Sequence, residues 1–256
     1  MTSREISHFS KSLEKEMHIK IYGTDGIPVI GLPTQDSKCH NFEDFRFTDA
    51  LSPWIDGGRI QLFCVDSVDE ESWSDERIEN SWRSARQESY FHYLVDEVVP
   101  FVKKENSSEL PLLLGLSMGA IHAAILFFRR PDLFGGMLSL SGVYDSAYFY
   151  HGWMDPTLYD NSVEVFLRNM DENHPHIRLY NQRRIIFCVG QGAWEDDGVR
   201  TLKDLRGTLD KKGIHAWTDF WGHDVNHDWP WWKKQAEYFL PYLLGEKKIE
   251  NKITFA

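Results

Sequence analysis

Short apolar runs recur along this chain, spaced so that a helix fits between most neighbours: 28–32 (PVIGL), 60–65 (IQLFCV), 112–116 (LLLGL), 137–140 (MLSL) and 185–189 (IIFCV). Apolar residues fill consecutive positions in these runs, so both faces need cover. That is the pattern of central strands in a parallel sheet coated by helices. Two flanking segments, 17–22 (MHIKIY) and 215–220 (HAWTDF), alternate sides as half-buried strands do. Helical spacing is expected over 83–105, where Pro100 interrupts Tyr90, Leu94, Val98 and Phe101, and over 119–130, which ends at Pro131. Further helices are expected over 199–212, stopped by Gly213, and over 230–243, with Pro230 near its first turn. A helix around 42–51 should stop at Ser52-Pro53. Strand and helix alternating along one chain predict an α/β fold, a doubly wound and mostly parallel sheet with helices on both faces.

No repeat, low-complexity tract or Pro/Ser linker divides the chain, so residues 1–256 are expected to form a single domain. The segment 143–184, rich in Tyr, Asn, Asp and His, is too long for an ordinary connection and is expected to be a lid-like insertion over the site. A short helix is expected within it over 163–169.

Composition narrows the function. With 28 basic and 39 acidic residues the net charge is −11. That balance opposes a phosphate backbone, so no nucleic-acid partner is expected. No apolar run reaches the length of about 18 residues that a membrane span needs. The first 20 residues lack the apolar core of about 7 to 15 residues found in secretory signals, and a cytoplasmic location is expected. Cys39, Cys64 and Cys188 are too widely spaced for a CxxC metal site, and Cys64 and Cys188 lie inside apolar runs as core thiols.

Chemistry concentrates at Gly115-Leu116-Ser117-Met118-Gly119, a G-x-S-x-G motif preceded by an apolar strand and followed by a helix of small and apolar residues. A sharp strand-to-helix turn forces the serine into strained backbone angles and requires small residues two before and two after it. The helix start then offers free N–H groups to a developing oxyanion. A serine needs a base, and the base needs an orienting acid. In this architecture they follow in the order Ser, acid, His on loops after later strands. The loop after 185–189 carries Glu195, Asp196 and Asp197, and the loop after 215–220 carries His223 and His227. The backbone N–H of Met118 is the first oxyanion donor. The second is expected from Thr34 or Gln35, after the 28–32 strand.

The same residues resemble a known family. Pro33-Thr34-Gln35, the elbow continued by Ala120, Ser139-Leu140-Ser141-Gly142 with Tyr144-Asp145, and His227-Asp228-Trp229 followed by Trp232 are similar to the "Putative esterase" family of α/β-hydrolases. That family includes feruloyl esterases, S-formylglutathione hydrolases and mycolyltransferases, and the resemblance runs over nearly the whole chain. It implies an α/β-hydrolase fold, with His227 as base and His223 as a structural or rim histidine. Among the acids it points to Glu195 first, with Asp197 as the alternative and Asp196 third.

The expected activity is that of a serine hydrolase cleaving a small-molecule carboxylic ester through an acyl-enzyme, without cofactor or metal. An acyltransferase with the same residues, or an inactive binding protein of the same fold, are the alternatives. A homo-oligomer is compatible with the sequence. His223 and His227 with Asp224 and Asp228 do not make a metal site, because Gly222, Asn226 and Pro230 place them in a loop. His122 is expected to pack within its helix. The tryptophans 217, 221, 229, 231 and 232 mostly bury the last helix, and the acidic run 66–71 is expected to be a solvated loop.

Overall fold

A computed structural model describes residues 1–248 of the chain; the remainder of the expected 1–256 domain lies outside the described residues. The chain opens with β1 (Ser3–Ser10), β2 (Lys15–Tyr22) and β3 (Ile27–Leu32), followed by α1 (Asn41–Asp44), α2 (Phe47–Ile55) and β4 (Ile60–Val65). Next come α3 (Asn80–His92), a π-helical turn (Tyr93–Val98), α4 (Val99–Glu105), β5 (Leu112–Leu116), α5 (Met118–Arg129) and β6 (Gly136–Leu140). Helices α6 (Ser146–Tyr150), α7 (Pro156–Asp160), α8 (Val163–Asn169) and α9 (Pro175–Tyr180) lead to β7 (Arg184–Val189). The order closes with α10 (Asp196–Lys211), β8 (Trp217–Phe220) and α11 (Trp229–Leu243).

The strands form one eight-stranded sheet in the order β1-β2-β4-β3-β5-β6-β7-β8. β2 runs antiparallel to β1 and β4, and the pairs from β4 onward are parallel. Side chains alternate between two cores: Leu113 joins the one containing α3, α4, α5 and α10 residues, while Leu112, Leu114 and Leu116 join the one containing α2 and α11 residues. This is the predicted doubly wound sheet with helices on both faces. β5 lies between β3 and β6, with Gly115 paired to Leu32 on one side and to Ser139 on the other. The loops that leave β3 and β6 therefore flank the residue that follows β5.

Local departures from the sequence reading have identifiable causes. β1 was not anticipated, because as an exposed edge strand it buries little and shows no apolar alternation. The helix expected around 42–51 is broken in two at Arg46, which has a left-handed φ of 58°. The second half continues through Pro53, whose missing N–H leaves the Asp49 carbonyl without its helical donor; the Ser52 hydroxyl donates to that carbonyl at 2.7 Å instead. The helix expected over 83–105 is interrupted before Pro100 by the π-helical turn, and Pro100 falls in the first turn of α4, where its missing N–H costs least. The acidic run is no solvated loop: Asp66 and Asp69 are buried. Asp66 accepts the N–H groups of His18 and Cys39, fixing the chain after β3 against β2 and β4.

The insertion 143–184 folds as α6 to α9, starting α6 and α7 on the caps Asp145 and Asp155. α7 packs on α3, and α8 packs on α5 and α10. Arg83 donates to the Phe149 carbonyl and Ser84 to Asp155, so the insertion is tied to the start of α3.

Candidate active site

Ser117 sits at the junction of β5 and α5 with φ 55° and ψ −117°, a backbone conformation that side-chain-bearing residues rarely adopt. Close packing forces this turn. A Cβ on Gly115 would stand 2.0 Å from the Gly119 carbonyl oxygen, and one on Gly119 would stand 2.2 Å from that of Leu32. The glycines are thus required by the approach of α5 to its own strand and to the end of β3. The Ser117 N–H donates to the Leu140 carbonyl at 2.9 Å, anchoring the turn to β6.

The loops after β7 and β8 zip together. Gly192 N–H donates to the Val225 carbonyl, Ala193 N–H to Asn226 Oδ1, and His227 N–H to the Ala193 carbonyl. Here too the glycines answer to backbone contact, since a Cβ on Gly190 would lie 2.1 Å from the Val225 carbonyl oxygen. The zip brings His227 over Ser117, with Nε2 at 2.8 Å from Oγ, and sets His227 Nδ1 at 3.1 Å from Glu195 Oε2.

Glu195 is 1% exposed. Its other oxygen, Oε1, accepts from the Ser141 hydroxyl at 2.6 Å and from the Gly190 N–H at 3.3 Å. Ser141 Oγ in turn accepts from Trp232 Nε1 at 3.0 Å, and the Trp232 indole stands edge-on to the His227 ring at 4.9 Å. The buried carboxyl group thus has hydrogen-bond partners on both oxygens. Ser141 is the residue that the sequence reading missed; its signal was its place at the end of the strand beside β5, in the Ser-Leu-Ser-Gly segment.

The other acids and histidines stand apart. Asp196 is exposed and Asp197 pairs with Arg200 on the surface, both in the first turn of α10. His223 is exposed, with Nδ1 3.3 Å from the Gln191 carbonyl oxygen. His122 is buried on α5 and bonds Asp69 through Nε2 at 2.7 Å. On the β3 side, Thr34 spends its N–H on Asn41 Oδ1 at 3.0 Å, whereas Gln35 directs its side-chain amide to Ser74 Oγ at 2.8 Å. Met118 is buried at the first position of α5.

Most tryptophans pack as expected: Trp217 and Trp221 lie against Phe239, and Trp229 stacks on Phe45. Trp194, directly before Glu195, is 90% exposed. Glu5, Cys39 and His40 bring potential metal-ligand atoms within 4.8 Å of one another, far along the sequence from the serine. Lys20 already supplies a cation there, 3.3 Å from His40 Nδ1 and paired with Glu43. Among the described residues no helix is long and apolar enough to cross a membrane.

The sheet order and the serine-bearing strand-to-helix turn define the α/β-hydrolase fold. The chain belongs to the family described as "Putative esterase", whose model matches residues 10–253. Similar solved structures include a ferulic acid esterase, at TM-score 0.74 and 14% identity over 95% of this chain and 97% of that one. S-formylglutathione hydrolase (FrmB) from Staphylococcus aureus superposes at TM-score 0.69 with 12% identity, covering 95% of this chain and 96% of its own. The fluorophosphonate-binding serine hydrolase FphF of Staphylococcus aureus does so at TM-score 0.67 with 13% identity, covering 95% and 98%. At these identities the likeness is one of fold. No curated protein matches the sequence.

Proposed function

We propose that this protein is a serine hydrolase that cleaves small-molecule carboxylic esters through an acyl-enzyme. The observation that carries the reading is the continuous chain from Ser117 Oγ to His227 Nε2 at 2.8 Å and from His227 Nδ1 to Glu195 Oε2 at 3.1 Å. Membership of an esterase family supports it.

Ser117 Oγ attacks the ester carbonyl carbon as His227 Nε2 takes its proton. The carbonyl π pair moves onto oxygen, which is met by the N–H groups of Met118 and Gln35. Gln35 is the second donor in this reading because the Thr34 N–H is bound to Asn41. The tetrahedral intermediate collapses and the alcohol leaves with the proton from His227. Water then attacks the acyl-enzyme with His227 again as base, and the acid departs as Ser117 recovers its proton. Glu195 orients the imidazole and stabilises its protonated form. Segment 143–184 shapes the pocket wall in this reading: its Phe149 packs on Trp73, next to the Ser74 that holds Gln35.

Hydrolysis of p-nitrophenyl esters from C2 to C8, for wild type and Ser117→Ala side by side, tests the proposal. Turnover that vanishes with the hydroxyl is expected. Turnover retained by Ser117→Ala would remove the nucleophile assignment, and an ester product formed with an added alcohol would redefine the enzyme as an acyltransferase.

A further inference from the structure

We propose that the buried Asp69–His122 pair is a positioning device that sets the spacing of the oxyanion hole; the proposal rests on the serine-esterase reading above. Asp69 is fully buried in the short turn after β4, and His122 is 1% exposed on α5, five residues beyond Ser117. Asp69 Oδ1 lies 2.7 Å from His122 Nε2. The opposite oxygen, Oδ2, accepts the N–H of Asp36 in a long 3.4 Å bond. The Asp69 carbonyl accepts the N–H groups of Ser72 and Ser74, and Ser74 Oγ receives the Gln35 side chain at 2.8 Å. One residue therefore holds α5, which carries Ser117 and the Met118 N–H, and grips the Gln35 turn through both its side chain and its backbone.

The two donors of the proposed hole come from elements far apart in sequence, and each must stand about 2.7–3.1 Å from the developing oxyanion. The backbone contact of Gly119 with Leu32 and Pro33 fixes how closely α5 meets the end of β3. It does not fix the turn beyond Pro33, where Gln35 and Asp36 are exposed and Asp36 has a φ of 57°. Asp69 supplies that second constraint. Edge-on contacts of His122 with Trp73 and Tyr90 hold the imidazole in place, and His122 Nδ1 has no partner among the described residues. A buried polar pair of this kind contributes little net stability compared with apolar packing. Its geometric link to both halves of the hole gives it a function.

The test compares Asp69→Asn, His122→Phe and His122→Gln with wild type. It reads kcat and KM for p-nitrophenyl acetate, the Ki of a trifluoromethyl ketone whose hemiketal oxyanion needs both donors, and the melting temperature. Removing an oxyanion donor costs about 100- to 1,000-fold in kcat. A misplaced donor should cost roughly 10- to 100-fold for Asp69→Asn and His122→Phe, with KM within about twofold and Ki raised in parallel. His122→Gln, whose amide reaches the Nε2 position, should recover most of the loss. If kcat and Ki stay within twofold in both disruptive variants while wild type turns over, the positioning role is wrong. A loss confined to KM, or a fall in active-enzyme titre at unchanged Ki, overturns it equally. If Asp69→Asn does not fold, His122→Phe decides. Wild type with no ester turnover, or an active Ser117→Ala, would instead remove the esterase reading on which the proposal rests.

Discussion

Ser141 donates its hydroxyl proton to Glu195 Oε1 at 2.6 Å, on the far side of the carboxylate from His227. Ser141 holds a left-handed φ of 57° at the end of β6, so a strained backbone aims this hydroxyl at the acid. A hydrogen bond to a charged group is worth about 1.5–3 kcal/mol, and about 1.4 kcal/mol is a factor of ten in rate. Ser141→Ala should accordingly lower kcat by roughly 10-fold or more with little change in KM, as measured on p-nitrophenyl acetate. A variant as fast as wild type would show that Gly190 alone suffices to hold the acid.

The histidines and acids separate by position. His227→Ala should reduce kcat by orders of magnitude, while His223→Ala should leave it within about twofold, because the His223 ring is exposed, with Nδ1 at 3.3 Å from the Gln191 carbonyl. Glu195→Gln should be far more damaging than Asp197→Asn, whose carboxylate pairs with Arg200 at the surface. Steady-state kinetics on the four variants checks both orders, and a reversal in either pair moves the role to the other residue.

Ser117 carries strain of about 1–3 kcal/mol at its positive φ. Ser117→Gly should lose ester turnover and yet melt higher, since glycine adopts that conformation without penalty and gives back about 0.5–1 kcal/mol in entropy. A net gain of about 1 kcal/mol corresponds to roughly 2–4 °C for a domain of this size. Calorimetry reads it directly. A lower melting temperature would mean that the Ser117–His227 contact stabilises the fold by more than the strain costs.

Burial pushes the thiols of Cys39, Cys64 and Cys188 up from their ordinary range, because the interior disfavours the thiolate. The folded chain therefore keeps protons that the unfolded chain releases above about pH 8.5. The stability this contributes is complete below that pH and falls as pH rises past it. The buried hydroxyls of Tyr90 and Tyr93 act the same way at higher pH. Denaturant unfolding between pH 7 and 10 should show this decline, and a disulfide reagent at pH 8 should label the thiols only on unfolding. Rapid labelling of native protein would contradict their burial.

Much of this architecture was legible in the chain. The runs at 60–65 and 112–116 coincide with β4 and β5, and those at 28–32, 137–140 and 185–189 fall within one residue of β3, β6 and β7. Consecutive burial on both faces leaves a local apolar signature that the sequence cannot hide. The elbow was legible as a motif, with Gly115 required by contact with Gly119 in the same turn and Gly119 by contact with Leu32 and Pro33 at the end of β3. β1 was not, because this edge strand is held by its ladder with β2 and the positions it covers, Ile6, His8 and Ser10, are mostly polar.

At the site, sequence reduced the candidates to a serine, three acids and two histidines, each on a loop after a strand. The tertiary structure decided which of them meet. Glu195 rather than Asp197 faces His227 because the backbone zip between residues 190–193 and 222–227 turns it inward, and the Thr34 N–H is withdrawn by Asn41. Asp69 lies inside a charged run that reads as solvated, and its burial against His122 follows from β4 ending beside α5 and the β3 turn. Backbone burial and tight turns are set by neighbours in the chain and so are written in it. Which polar groups meet across a gap of about 3 Å depends on loops that only the packed sheet brings together, 110 residues apart for Ser117 and His227 and 32 for Glu195 and His227.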